Sequence, residues 1–159
     1  MTLAFEDFHV GRRFAYAPVT VAAEAMLSFA RSFDPQPMHL DEEAGRAGIL
    51  GGLSASGWFT ASLGMRMMAD AFVRDSTSQG SPGIDRMDWR KPVFAGDVLA
   101  GESVVLDARP SRSRPGIGIV RFRNEITRAA AGGSETVALS ECAILFRCRK
   151  ITRMRGDAA

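Results

Sequence analysis

The sequence predicts an α+β fold, an antiparallel β-sheet wrapped around one long helix, and three observations carry that expectation. Residues 58–73, WFTASLGMRMMADAFV, are apolar nearly all round, with only Arg66 and Asp70 charged, as a helix enclosed by other structure should be. From Ser81 onward the chain turns to β-branched and aromatic residues punctuated by turn signals, enough for four strands. Within residues 117–126, Ile117, Ile119, Arg121 and Arg123 share one parity while Val120, Phe122 and Ile126 share the other, the alternation of antiparallel strands with one covered face.

The elements follow in order. A strand is expected near residues 12–17. Thr20 can then cap a helix through VAAEAMLSFARSF, in which Ala22, Met26, Phe29, Ala30 and Phe33 trace the more apolar face. That helix must stop near Phe33, because Pro35 biases Asp34 away from helical geometry and Pro37 does the same to Gln36; residues 34–38 are expected to be extended and stiff. DEEAGRAG suits a second short helix with its acids at the start. A glycine- and serine-rich approach, GILGGLSASG, leads into the central helix. The four later strands fall at residues 84–93, 97–108, 116–127 and 135–149, separated by FAG, ARPSRSRP and AAAGGS. No internal repeat or linker interrupts the 159 residues, which read as a single domain over 1–159.

Composition narrows the function classes. Hydrophobic residues at 46% against 24% charged are too apolar for a disordered chain. A formal net charge of +2 is too small to advertise nucleic-acid binding, although arginine outnumbers lysine 18 to two. The basic residues toward the C-terminus, Arg147, Arg149, Lys150, Arg153 and Arg155, read as a solvated tail more readily than as a phosphate site. Cys142 and Cys148 lie six residues apart on one expected strand, so their Cα atoms would be about 20 Å apart, too far for a disulfide. The N-terminal MTLAFEDFHVGRRF carries acids where a signal peptide needs a basic flank, and no run reaches membrane-spanning length, so a cytoplasmic protein with no membrane partner is the expectation.

Several chemistries lack sequence support. His9, His39, Cys142 and Cys148 offer no metal-ligand spacing, and neither HExxH nor CxxC occurs. GLSAS fails as a nucleophile elbow because Ser56 stands where the second glycine is required. With neither GxGxxG nor GxxxxGK[ST] present, no nucleotide cofactor is expected, and no metal. What remains is SFDPQPMH, residues 32–39, where one of only two histidines follows Asp34 by five positions across two prolines. A carboxylate and an imidazole on so stiff a segment can converge on one small reactant for general acid–base work. By itself the pair would also be explained by Asp34 capping a turn and His39 sitting at an interface.

The stretch FDPQPMH, followed by SASGW, SPGID and WRKPVFAGD, resembles the MaoC-like hydratase family of hotdog-fold proteins over most of the chain. That family's pattern is roughly D-x-N-P-[LIV]-H, a helix-opening glycine, and a K-P-V-x-x-G-D strand and turn; Asp34, Pro37, Met38, His39, Gly57, Pro92, Val93, Gly96 and Asp97 fall into it. The resemblance implies a hotdog fold and reversible addition of water across the 2,3 double bond of an enoyl-CoA thioester, giving the (R)-3-hydroxyacyl-CoA. It further implies Asp34 as general base, His39 as its partner in placing water or delivering a proton, and the Gly57 backbone N–H as donor to the thioester oxygen, at a helix start where such groups are unsatisfied. Gln36, Ser56 and Trp58 are the expected substrate-side neighbours. Gln36 replaces the usual Asn, Ser56 a frequent His, and Trp58 either lines the acyl pocket or packs in the core. Arg90, Lys91 or the Arg109, Arg112 and Arg114 loop could meet the CoA phosphates, and no spacing singles one out. Because a hotdog sheet leaves edges, a homodimer at least is expected. A hotdog thioesterase and a non-catalytic acyl-CoA-binding protein are the competing readings.

Overall fold

The computed structural model describes residues 2–149, so the end of the basic tail, with Lys150, Arg153 and Arg155, lies outside the described residues. Strand β1 (Arg13–Thr20) leads into helix α1 (Ala23–Phe33), the single turn α2 (Pro37–Leu40) and the short helix α3 (Glu42–Ala47). The central helix α4 (Gly57–Met68) continues as a π-helical turn, Ala69–Val73. Strands β2 (Gly83–Trp89), β3 (Val98–Pro110), β4 (Ile117–Ala130) and β5 (Gly133–Arg147) complete one antiparallel sheet in the order β1-β3-β4-β5-β2.

The period-two pattern in β4 sets the register as expected. Gly118, Val120, Phe122, Asn124 and Ile126 are buried under the helix, while the opposite parity faces away. The β4–β5 hairpin closes at Ala130 opposite Gly133, and Gly132 takes φ +94°, which AAAGGS supplies without strain. Pro18 is accommodated because β1 is an edge strand and its pairing with β3 shifts register between Tyr16 and Val19.

The core lies between the sheet and the second half of the central helix. Phe72, carried inward by the π-helical turn, stacks on Phe14 at 4.2 Å between centroids and meets Phe122 at 5.3 Å; Phe8 stacks on Phe146 at 4.1 Å. Gly64 lets the helix approach β4 closely: a Cβ there would come within 2.4 Å of Ile126 Cδ1, so that side chain would have to shift.

Three expectations are corrected. Thr20 ends β1 and caps nothing: α1 starts three residues later at Ala23, with Ala22 at its N-cap and no side-chain capping bond. Residues 34–38 are extended only as far as Gln36 (φ −81°, ψ 142°), because Pro37 takes the first helical position of α2, where its missing N–H is no loss. The central helix is not enclosed all round in this chain; Trp58, Ser62, Met65 and Arg66 form an exposed stripe. The remaining elements stand close to where the sequence places them, including α3, whose N-cap Asp41 accepts from Ala44 N at 2.8 Å. Both cysteines are free.

The aromatic cluster yields a direct check. Phe72→Ala removes a fully buried ring from the contact between helix and sheet and should cost about 3–5 kcal/mol in chemical denaturation, against less than about 0.5 kcal/mol for a change at exposed Val10. Equal costs would contradict the core described.

Candidate active site

Asp34 caps the C-terminal end of α1 with non-helical backbone (φ −149°, ψ 66°), consistent with Pro35 disfavouring the helical region for its predecessor. Its carboxylate is held at both oxygens: Gln36 Nε2 donates to Oδ1 at 2.7 Å and the Ser56 hydroxyl donates to Oδ2 at 2.6 Å. Five residues on, His39 rides on α2 and is buried. Its Nε2 lies 3.6 Å from Asp34 Oδ2, beyond direct hydrogen-bond reach, so both groups border one gap. The other ring nitrogen, Nδ1, sits 2.8 Å from the Ser54 carbonyl oxygen. A carbonyl can only accept, so Nδ1 carries a proton, and Nε2 is the ring nitrogen turned toward Asp34.

The run from Ser54 to Gly57 is pinned from the other side by the KPVFAGD turn. Ala55 N donates to Val93 O at 2.7 Å, and Ser54 bridges Phe94. Asp97 braces that turn by accepting from Phe94 N and from Arg128, which also donates to the Pro92 carbonyl and to Glu135. The glycine–aspartate end of the motif therefore positions backbone and leaves the gap to other groups.

Ser56 then opens the central helix. Its Oγ accepts from Trp58 N at 3.2 Å while donating to Asp34, so one hydroxyl both caps α4 and orients the carboxylate. The N–H of Gly57, first residue of α4, has no hydrogen-bond acceptor among the described residues and sits at the positive end of a twelve-residue helix. Glycine is required there by close approach: a Cβ would lie 2.7 Å from Trp89 Cε2. Trp89 Nε1 also donates to Gly57 O at 2.8 Å. Replacing Gly57 with proline would thus displace Trp89 as well as remove the N–H. Trp58 does not pack in the core; it is 55% exposed and meets Trp89 edge-on at 5.2 Å.

The structure brings Asp34, Gln36, His39, Ser56 and Gly57 together, with Trp58 at the rim. Ser54 and Trp89 belong to the same cluster and were not singled out from the sequence; Trp89 is 32 residues from Gly57, and only the tryptophan of WRKPVF hinted at it. Of the candidate cations, Arg90 and Lys91 directly follow Trp89 and are exposed, Arg90 pairing with Asp88 at 3.0 Å. The Arg109, Arg112 and Arg114 loop is far from this site within one chain. The row through Trp89, Ala138 and Ile126 is separated from Gly118, opposite Pro110, by eight residues of β4, roughly 27 Å.

This is a sheet wrapped around a helix, with a carboxylate–imidazole pair beside the helix start: a hotdog-fold protein with a candidate site there. Residues 7–125 match the MaoC like domain, and the chain belongs to that family. It is 32% identical, over 116 residues, to the uncharacterized protein YdeM of Bacillus subtilis, covering 72% of this chain and 82% of that one. Among solved structures, the MaoC-like dehydratase from Rhodospirillum rubrum aligns with a TM-score of 0.82 at 38% identity, over 93% of this chain and 99% of that one. The HadBC (3R-hydroxyacyl-ACP dehydratase) complex from Mycobacterium tuberculosis aligns with a TM-score of 0.68 at 26% identity, over 86% and 96%.

The electrostatics have a testable sign. The Ser56 hydroxyl, then the Gln36 amide, hold the Asp34 carboxyl below its ordinary value, with His39 adding a smaller pull and burial opposing. A lowered carboxyl contributes stability above its unfolded-state pKa and loses it as pH falls through the folded-state value. Ser56→Ala should therefore raise the Asp34 titration midpoint in carboxyl carbon NMR, and Ser56→Thr should restore it. An unmoved midpoint in Ser56→Ala would contradict the assignment.

Proposed function

We propose that the chain catalyses reversible hydration of trans-2-enoyl-CoA to the (R)-3-hydroxyacyl-CoA. The observation that carries this reading is the shared gap between Asp34 Oδ2 and His39 Nε2, beside an uncommitted N–H at the start of α4. A water between the two groups donates one proton to Asp34 Oδ2 and the other to the His39 Nε2 lone pair, which turns an oxygen lone pair toward C3 of the enoyl group. The C3–O bond forms as Asp34 takes the proton. Negative charge moves to the thioester oxygen, where the Gly57 N–H accommodates it. The Asp34–His39 pair then returns a proton to C2, so the elements of water are added and nothing is oxidised. Dehydration runs the same steps backward.

Gln36 and Ser56 act by holding Asp34, and Trp58 and Trp89 wall the entrance. Arg90 and Lys91, next to that wall, suit the CoA phosphates. The mycobacterial relative's name, 3R-hydroxyacyl-ACP dehydratase, supports both the reaction class and the (R) configuration.

The working unit in this reading is a homodimer. Strand β2 is an uncovered sheet edge, and Ile84, Trp89, Trp58 and Met65 are exposed around it, a surface that a second β2 would cover while extending the sheet.

Loss of the enoyl thioester absorbance on mixing with crotonyl-CoA tests the activity, with thiol release from saturated acyl-CoA scoring the thioesterase alternative. Asp34→Asn and His39→Gln should each lower hydration by about 10²–10⁴-fold with melting temperature nearly unchanged. The double variant should lose little more than the worse single one. Full activity in Asp34→Asn, or thiol release without hydration, would overturn the proposal. Light scattering at micromolar concentration should give twice the chain mass; a fully active monomer would contradict the dimer.

A further inference from the structure

One turn beyond Gly57, the central helix and the sheet part to leave a cavity of about 380 Å³, within the range of small-molecule pockets. Ala61, Gly64, Met65 and Met68 border it from the helix, continuing the stripe that starts at Gly57, and Met87 borders it from β2, two residues before Trp89. The cavity thus lies on the same helix stripe as Gly57, one turn further on, in the direction an acyl chain leaving a thioester at Gly57 along the helix would take. Most of its wall is apolar, including Ile84, Met87, Ile126 and Ile144 of the sheet; Ser78 and Ser81 before β2 and one row on the sheet are polar.

A polar row crosses the inward face of the sheet there. Ser103 on β3 lies opposite Asn124 on β4, Asn124 opposite Ser140 on β5, and Ser140 opposite Met87 on β2. Tyr16, the chain's one tyrosine, reaches the row from β1. Ser103 Oγ donates to Asn124 Oδ1 at 2.7 Å, because an amide oxygen can only accept; Tyr16 Oη must then donate to Ser103 Oγ at 2.5 Å. Asn124 Nδ2 donates to Ser140 Oγ at 3.1 Å and to Cys142 Sγ at 3.5 Å. With these protons assigned, two of the capacities left over bear on the cavity. The Ser140 hydroxyl proton has no acceptor among the described residues, and the Tyr16 oxygen retains a lone pair. Tyr16, Asn124, Ser140 and Cys142 all line the cavity, and none of its lining residues is charged. Burial pushes the Tyr16 hydroxyl up to about 12, so it stays neutral.

A buried polar row gives little net stability over an apolar one of the same shape. Here it also leaves a donor, the Ser140 hydroxyl, and an acceptor, the Tyr16 oxygen, among the residues of a mostly apolar, uncharged cavity, a pairing that matches an alcohol. We propose that the cavity receives the acyl tail of the thioester and that the Tyr16–Ser103–Asn124–Ser140 row selects a tail bearing a neutral hydroxyl group, over both a plain alkyl tail and one ending in a carboxylate. The row lies two strand residues, about 7 Å, from the level of Trp89, which sets the hydroxyl well beyond C3. The identity of the tail as part of a CoA thioester rests on the hydratase reading; the preference for a hydroxyl does not depend on turnover.

Calorimetric binding of saturated thioesters separates the two. Hexanoyl- and octanoyl-CoA are compared with their ω-hydroxy and ω-carboxy counterparts, for wild type and for Ser140→Ala. In wild type an ω-hydroxy ligand should bind about fivefold more tightly than its plain counterpart, the gain from one neutral hydrogen bond, and the ω-carboxy ligand should bind most weakly. Ser140→Ala should abolish the hydroxyl preference and leave plain-chain affinity unchanged. Equal affinities for plain and hydroxylated chains in wild type at both lengths, tightest binding of the carboxylate, or no binding of any chain would overturn the proposal, and this wild-type comparison stands even if Ser140→Ala misfolds. Hydroxyl-selective binding without hydration of crotonyl-CoA would support the cavity and overturn the hydratase reading alone.

Discussion

Everything at the site depends on how the backbone of Ser54 and Ala55 is held. The Ser54 carbonyl accepts from His39 Nδ1, and the Ala55 amide donates to the Val93 carbonyl, so two consecutive residues are clamped between α2 and the turn before β3. From that clamp follow the direction in which α4 starts, the place of the Ser56 hydroxyl against Asp34, and the outlook of the Gly57 N–H. The clamp holds main-chain groups, and its anchors are themselves held: Val93 is buried in the core, and Asp97, partly buried, is tied to Arg128. Rigidity at the site is thus inherited from the sheet.

The two prolines divide the labour around this clamp. Pro35 ends α1 and leaves Asp34 at its tip, free to turn its carboxylate toward Ser56 and Gln36; Pro37 starts α2 and sends His39 back under the loop. The histidine is held by its far nitrogen, while Asp34 is held by two neutral donors. Both groups therefore keep their acid–base capacity for a third party, whereas a direct ion pair would have used it up.

Much of this was legible in the sequence, for identifiable reasons. The Asp34–His39 spacing, the helix stop before Pro35 and the parity of β4 are local signals, and each survives in the structure. The failures are local signals outvoted by their surroundings. Thr20 is a good cap by chemistry, but pairing with Val98 on β3 draws it into β1, and Pro37, expected to prolong an extended segment, opens a helical turn. Of the two places the sequence leaves open for Trp58, core or pocket wall, the structure excludes the core: it is exposed and meets Trp89 at the end of β2. What could not be read was anything assembled across strands. Tyr16 and Ser103 are 87 residues apart, and Trp89 and Gly57 are 32 apart, so neither contact has a sequence pattern; they exist only once register is set. The same holds for Ser56, whose double bond to Asp34 and to the helix start could not be seen from a serine in a glycine-rich run.

The central claim is that the Ser54 carbonyl fixes the His39 ring so that Nε2 faces Asp34 as an acceptor. With only two histidines in the chain, nitrogen NMR of the imidazoles gives an assignable spectrum, and a His9→Gln variant removes the second signal. In alkaline buffer, where the ring is neutral, His39 should show the proton on Nδ1, protected from exchange, with Nε2 unprotonated and perturbed by Asp34→Asn. A proton on Nε2, or a ring averaging between the two tautomers, would contradict the account.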